Sequence, residues 1–345
     1  MHDHIVAYRI DGPLFFAAAR RFLLEFAEVS EVHVVILRTA PGTPSARARE
    51  SEATAVTSHM KSGHHNAAPR KRTDSGSMGA AVVGVWGSRR NRTNSSCWTA
   101  MEDYAALLTR RTALHASAIP FTARRPYSIA ERITKLPHHL NAVFLIGPNA
   151  AESAAVQSIT AAQGGRLVIS ETDALTTAVA AAAATALRAR RVPPRHGRLA
   201  VIGADRTPRL AAVLLECGAA SVTAEPGNTF SGAAIRKLIV DHDITVDLTG
   251  QDSMWTVPTR VVEVPADPYH FAALALPGLL GALCGHGTTQ VTISALAAAA
   301  RALALITPVG RRLPDVHDQR LDPTVAQHVS KILDAPPNGR THTRG

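Results

Sequence analysis

RLAVIGADRTPRLAAVLLECGAASVTAEPGN, residues 198–228, holds a complete strand–helix–strand pattern. RLAVIGA, 198–204, is an apolar run that turns at Gly203. RTPRLAAVLLECGA then repeats its apolar residues at helical spacing and stops at Gly218. ASVTAEPGN, 220–228, is a second strand and turn. A connection of this length carries a helix, and a strand–helix–strand unit makes its two strands parallel. The same alternation runs outward in both directions. Upstream are AVFLIG (142–147), the helix-like AESAAVQSITAAQGG stopped at Gly164–Gly165, the strand RLVIS (166–170), and an Ala-rich helix from Asp173 to Arg191 ended by Pro193–Pro194. Downstream, AIRKLIVDHD reads as a helix and ITVDLTG (244–250) as a further strand.

Strands alternating with helices of ten to fifteen residues predict an α/β fold: a Rossmann-like, doubly wound, mostly parallel sheet within residues 99–335. In that architecture a dinucleotide lies at a Gly-x-Gly-x-x-Gly turn, with an acidic residue about 20 positions later holding a ribose. The sequence has GADRTP. Gly203 fits the first glycine and Glu225, 22 residues on, stands at the strand end where the ribose acid belongs. Asp205 and Pro208 replace the other two glycines. Asp205 puts a carboxylate where the pyrophosphate would approach, and Arg206 and Arg209 are the side chains able to offset it. Gly203, Arg206 and Glu225 are therefore the candidate cofactor-binding residues, with NAD or NADP as the nucleotide.

The chain has 345 residues, of which 46% are hydrophobic and only 4% aromatic, so its core rests on Ala, Val, Leu and Ile. No charge-free apolar run reaches 18 residues, which excludes a membrane-spanning helix, and the N-terminus does not read as a signal peptide. Cys97, Cys217 and Cys284 lie too far apart for a metal pair. The expectation is a cytoplasmic protein. The net charge of +10 is concentrated: residues 41–98 hold nine Lys/Arg against three Asp/Glu. Arginine outnumbers lysine and alanine abounds, as in GC-rich coding sequence, and the basic PRKR at 69–72 lacks interleaved aromatics. Nucleic acid is thus not the expected partner. A homo-oligomer is left open.

The N-terminal region is patterned differently. HIVAYRI, a DGP turn at 11–13, a helix-spaced LFFAAARRFLLEFAEV and VHVVILR (32–38) predict strand, helix, strand. Residues 39–98, rich in Ser, Thr, Gly, Pro and charge, read as a disordered basic linker, at least to Met78. Residues 336–345 read as a frayed tail.

Two resemblances rest on these residues. IVAYRIDGPLFFAAARRFLLEF with EVHVVILR resembles the start of the STAS domain of SulP-type anion transporters, over residues 3–38. That implies a regulatory module, with 3–38 meeting a protein partner. The family's Asp-Ser/Thr-Gly loop is missing after Arg38, so its switch residue has no counterpart. Over about 145–335 the chain resembles the NAD-binding domain of malic enzymes. The carriers are ETDALTTAVAAAAATALRARR, the Gly203 turn, ALPGLLGAL (275–283) and LITPVGRRLPDVHDQRLDPTVAQHVSKIL (305–333). Asp173 falls on the second Asp of the family's Asp-Asp-x-x-Gly-Thr-Ala stretch, which implies a ligand of a divalent metal.

The departures bear on chemistry. Thr172 and Thr176 replace the first Asp and the Gly of that stretch. No upstream Glu-Asp pair completes the site, and one carboxylate does not hold Mg²⁺ or Mn²⁺. No catalytic residue is assigned: Tyr127 and Lys135 are the nearest candidates for the family's proton-moving Tyr and Lys, and neither sits in a matching motif. Three readings follow: a non-catalytic nucleotide-fold protein with an interaction or regulatory role, a STAS-type regulatory module, or an NAD(P)-dependent oxidoreductase of malic enzyme type.

Overall fold

The structure, a computed structural model, describes residues 8–9, 37–38, 79–85, 97–227, 232–249, 260–264 and 269–335. The chain divides at Thr73/Asp74 into two compact units. In the first, β1 (Tyr8–Arg9) pairs in parallel with β2 (Leu37–Arg38). Both pieces lie in segments read as strands; the DGP turn and the intervening helix lie outside the described residues.

The second unit holds two four-stranded parallel sheets. The first runs β4-β3-β5-β6, from β3 (Gly79–Val85), β4 (His115–Phe121), β5 (Leu140–Ile146) and β6 (Leu167–Ser170). The second runs β10-β9-β7-β8, from β7 (Arg198–Ile202), β8 (Ser221–Glu225), β9 (Ile244–Asp247) and β10 (Val261–Glu263). The expected parallel α/β architecture is present, as two sheets. The strand β3 corrects the linker reading at its end. GAAVVGV is wholly buried and pairs with both β4 and β5, inside the segment read as disordered to residue 98. Seven apolar residues between charged, Ser/Thr-rich flanks were lost in an average over sixty.

Period-two alternation explains why β3 and β5 are buried on both faces. Ala80 and Val82 with Ala142, Phe144 and Ile146 face one core; Ala81, Val83 and Val85 with Val143 and Leu145 face another. The smaller core is closed by Ile129, Ala130 and Ile133 of α2 (Pro126–Thr134) and Val156 of α3 (Ala150–Ala162). The larger core contains α1 (Cys97–Arg111) and the Ala-rich α4 (Glu171–Ala189). It extends to the second sheet and to α5 (Leu210–Glu216), α7 (Tyr269–Gly285), α8 (Ile293–Ile306) and α9 (Leu321–Leu333). Helix α6 (Gly232–Asp241) joins β8 to β9. Strand β4 is an edge strand, which is where Pro120 costs no ladder hydrogen bond. Alanine on α4 lets neighbouring helices approach closely, which suits a chain with few aromatics. No helix among the described residues is long and apolar enough to cross a membrane.

Candidate functional site

The second sheet changes winding direction at β7, with β8 on one side and β9 on the other. Ligands of open α/β sheets bind at such a point, outside the carboxyl ends of the strands. Gly203 follows β7 directly, with φ +79. Its N–H donates to the Glu225 carbonyl at 2.9 Å, so the turn after β7 and the end of β8 are locked together. A Cβ on Gly203 would lie 3.3 Å from Leu248 Cβ and 3.4 Å from Thr249 N, so the glycine serves both conformation and close approach. The predicted Gly203 and Glu225 are thus neighbours. The Glu225 carboxylate is half-buried and makes no ion pair among the described residues.

Two side chains of the turn are tied to neighbouring backbone. Asp205 Oδ1 accepts the Gly227 N–H at 3.0 Å. The Arg206 guanidinium donates to the Leu248 carbonyl. Residues 204–206 form a 3-10 turn, and α5 begins only at Leu210 and runs for seven residues. Arg206, read as a phosphate ligand, bridges the turn to the residue after β9 through one guanidinium nitrogen. Asp247 closes that strand, accepting from Thr249 N at 2.8 Å and Thr249 Oγ1 at 2.7 Å. The turn thus sets Gly203 beside the end of β8, with Glu225 next to it, and ties Asp205 and Arg206 to neighbouring backbone.

Asp173 lies at the start of α4, just beyond β6. Ser170 is the N-cap of α4 and Asp173 completes a capping box. Asp173 Oδ2 accepts from Ser170 N at 2.9 Å, Ser170 Oγ at 2.8 Å and Gln157 Nε2 at 2.6 Å. Oδ1 accepts from Arg209 Nη1 at 2.8 Å. The carboxylate side chain is 4% exposed and the guanidinium 32%. The lone-pair sites a cation would use thus face four N–H or O–H donors, one of them permanently cationic. No three His, Cys, Asp or Glu side chains converge on a metal-sized space among the described residues. This donor set does not fit a divalent metal. Arg209, the other candidate phosphate ligand, is the residue that neutralises Asp173, linking the Gly203 turn to the first turn of α4.

A second contact beside Asp173 had no sequence signal. Tyr104 Oη donates to Glu171 Oε1 at 2.7 Å, between α1 and the first residue of α4. The Tyr104 ring packs edge-on against Phe144, centroids 4.8 Å apart, and tilted against Tyr269 at 4.9 Å. Tyr127 and Lys135 do not join this cluster. Tyr127 is 63% exposed on α2, and Lys135 pairs with Glu131 at that helix's end.

No protein family and no curated protein matches the sequence. Solved structures do. The NAD-dependent malic enzyme of Thermotoga maritima superimposes with a TM-score of 0.61 at 14% identity, covering 92% of this chain and 99% of that one. The malic enzyme of Pyrococcus horikoshii gives 0.59 at 14%, covering 91% and 90%. That of Entamoeba histolytica gives 0.61 at 13%, covering 92% and 81%. At these identities the likeness is one of fold. It is wider than the 145–335 carried by sequence motifs.

Proposed function

We propose that this chain is a non-catalytic protein on the malic enzyme fold, acting by binding rather than by oxidising malate. The observation that carries the reading is the Asp173 carboxylate, saturated by Ser170, Gln157 and Arg209. Decarboxylation of a hydroxy acid on this scaffold needs a metal to polarise the developing carbonyl and a placed acid and base. Arg209 supplies the positive charge beside Asp173 but presents no open coordination position. Glu225 and Gly203 favour retention of a nucleotide crevice, with NAD or NADP held weakly because Asp205 opposes the pyrophosphate.

The test is NAD(P)H formation from malate with Mn²⁺, followed by absorbance at high enzyme concentration. The reading expects no rate above background. Turnover that disappears in Asp173→Asn would overturn it.

A further inference from the structure

At the end of α4 opposite Asp173, the segment RARRVPPRHGR, 188–198, holds five arginines and no acidic residue. It joins the end of α4 to the start of β7 through a 3-10 turn, Pro194–His196. Arg188 is consumed: its guanidinium donates to the Ala304 and Thr307 carbonyls, both at 2.8 Å, ending α8. Arg191, Arg195, His196 and Arg198 are exposed. Arg191, Arg195 and Arg198 make no ion pair among the described residues. The nearest acid in the hydrogen-bond pattern, Asp243, accepts the Arg198 backbone N–H.

Arg191 has φ +58, the one non-glycine with positive φ among the described residues. It stands just past the C-cap of α4, where Val192 N donates to Leu187 O at 3.0 Å. This is the position at which helices place glycine, because a Cβ there is strained. A second cost lies beside it: Arg190 Nε is buried without a hydrogen-bond partner. GC-rich coding explains arginine in place of lysine. It does not explain arginine in place of glycine, whose codons are equally GC-rich. Strain kept against an available remedy points to use of the side chain.

We propose that the 188–198 ridge binds the sugar–phosphate backbone of nucleic acid without reading sequence. Guanidinium forks match phosphate oxygens, and Pro193–Pro194 stiffen the ridge so that less freedom is lost on binding. Apart from the His196 imidazole, the segment has no aromatic ring to stack on bases, and it has no exposed large apolar side chain to enter a lipid surface. That favours phosphate contact alone.

The experiment is fluorescence anisotropy of a labelled 30-base-pair duplex with the full-length chain across a salt series. Each variant's melting temperature is recorded in parallel. Arg191→Gly is expected to raise the melting temperature by a few degrees while weakening binding several-fold, a pairing that a purely structural arginine would not give. Arg191→Gly with Arg195→Ala and Arg198→Ala should lower the salt slope by about 0.9 per arginine removed. Failure to bind duplex at low salt overturns the proposal. So does loss of binding in Arg70→Ala/Lys71→Ala/Arg72→Ala with the triple variant unchanged. Preferential capture by phosphatidylserine vesicles over duplex would assign the ridge to a membrane and overturn it too.

Discussion

A carboxylate that accepts four hydrogen bonds inside a protein has little left to offer a ligand. Asp173 is in that position, and its worth is structural: it caps α4 and holds Arg209. Replacing it with alanine strands donors on Ser170, Gln157 and Arg209. The expected cost is about 3–5 kcal/mol, read as a fall in the urea midpoint, with Asp173→Asn milder. Unchanged stability in the alanine variant would remove this account of the site. Asp205 makes the converse case. Asp205→Gly should raise the affinity for NAD⁺ measured by calorimetry, since it removes the charge opposing phosphate; weaker binding would mean that Asp205 serves the nucleotide. Burial pushes the thiols of Cys217 and Cys284 up to about 11. At pH 8 both should resist iodoacetamide in the native protein and label after unfolding, and native labelling of either would contradict the packing. Asp173 was legible as a helix start because the Ala-rich run begins beside it. Arg209 as its counter-ion was not, because 36 residues and a sheet-to-sheet crossing separate them. Tyr104 and Glu171, 67 residues apart, were hidden for the same reason.

Elements were legible where apolar periodicity was long and punctuated. The strands β5 to β9 and helices α3 to α6 were all recognised, with ends shifted by a few residues. Strand β3 was not, because its neighbours dominate the local composition. The packing of α7 on α9 depends on details that periodicity does not carry. A Cβ on Gly278 would lie 2.7 Å from Val325 Cβ and 2.8 Å from the Asp322 carbonyl, whereas one on Gly281, a turn further on, meets nothing within 4 Å. Gly278→Ala should therefore destabilise by about 1–3 kcal/mol. Gly281→Ala should be neutral or stabilising by about 0.5–1 kcal/mol. Equal effects in chemical denaturation would refute the helix contact.

Two histidines of the C-terminal helices should titrate in opposite directions. His286 Nδ1 lies 2.9 Å from the Ala282 carbonyl and Nε2 lies 3.1 Å from Asp334 Oδ1, which raises its pKa above the ordinary 6.5. Its contribution to stability is present below that pH and is lost as pH rises through the raised value. Burial, then Lys331 and Arg301, lower the pKa of His328. Its contribution is present above pH 6.5 and is lost as pH falls through the lowered value. Proton NMR should give His286 the higher midpoint, and the reverse order would contradict the described surroundings.

At the scale of the whole molecule, the fold class was legible and the division into two sheets was not. Parallel βαβ units look alike in sequence whether they join one sheet or two; the long α4, buried along most of its length, is what both sheets share. Composition across residues 41–78 predicts first tryptic cleavage at Arg47, Arg49, Lys61 or Arg70, leaving a stable C-terminal fragment; protection of all four sites would show the composition misread. The Asp173 carboxylate is already neutralised from within by Arg209. Mn²⁺ titration of the intact chain, followed by the electron paramagnetic resonance of free Mn²⁺, tests it most directly. No stoichiometric binding is expected up to millimolar Mn²⁺. One Mn²⁺ bound per chain, and lost in Asp173→Asn, would contradict it.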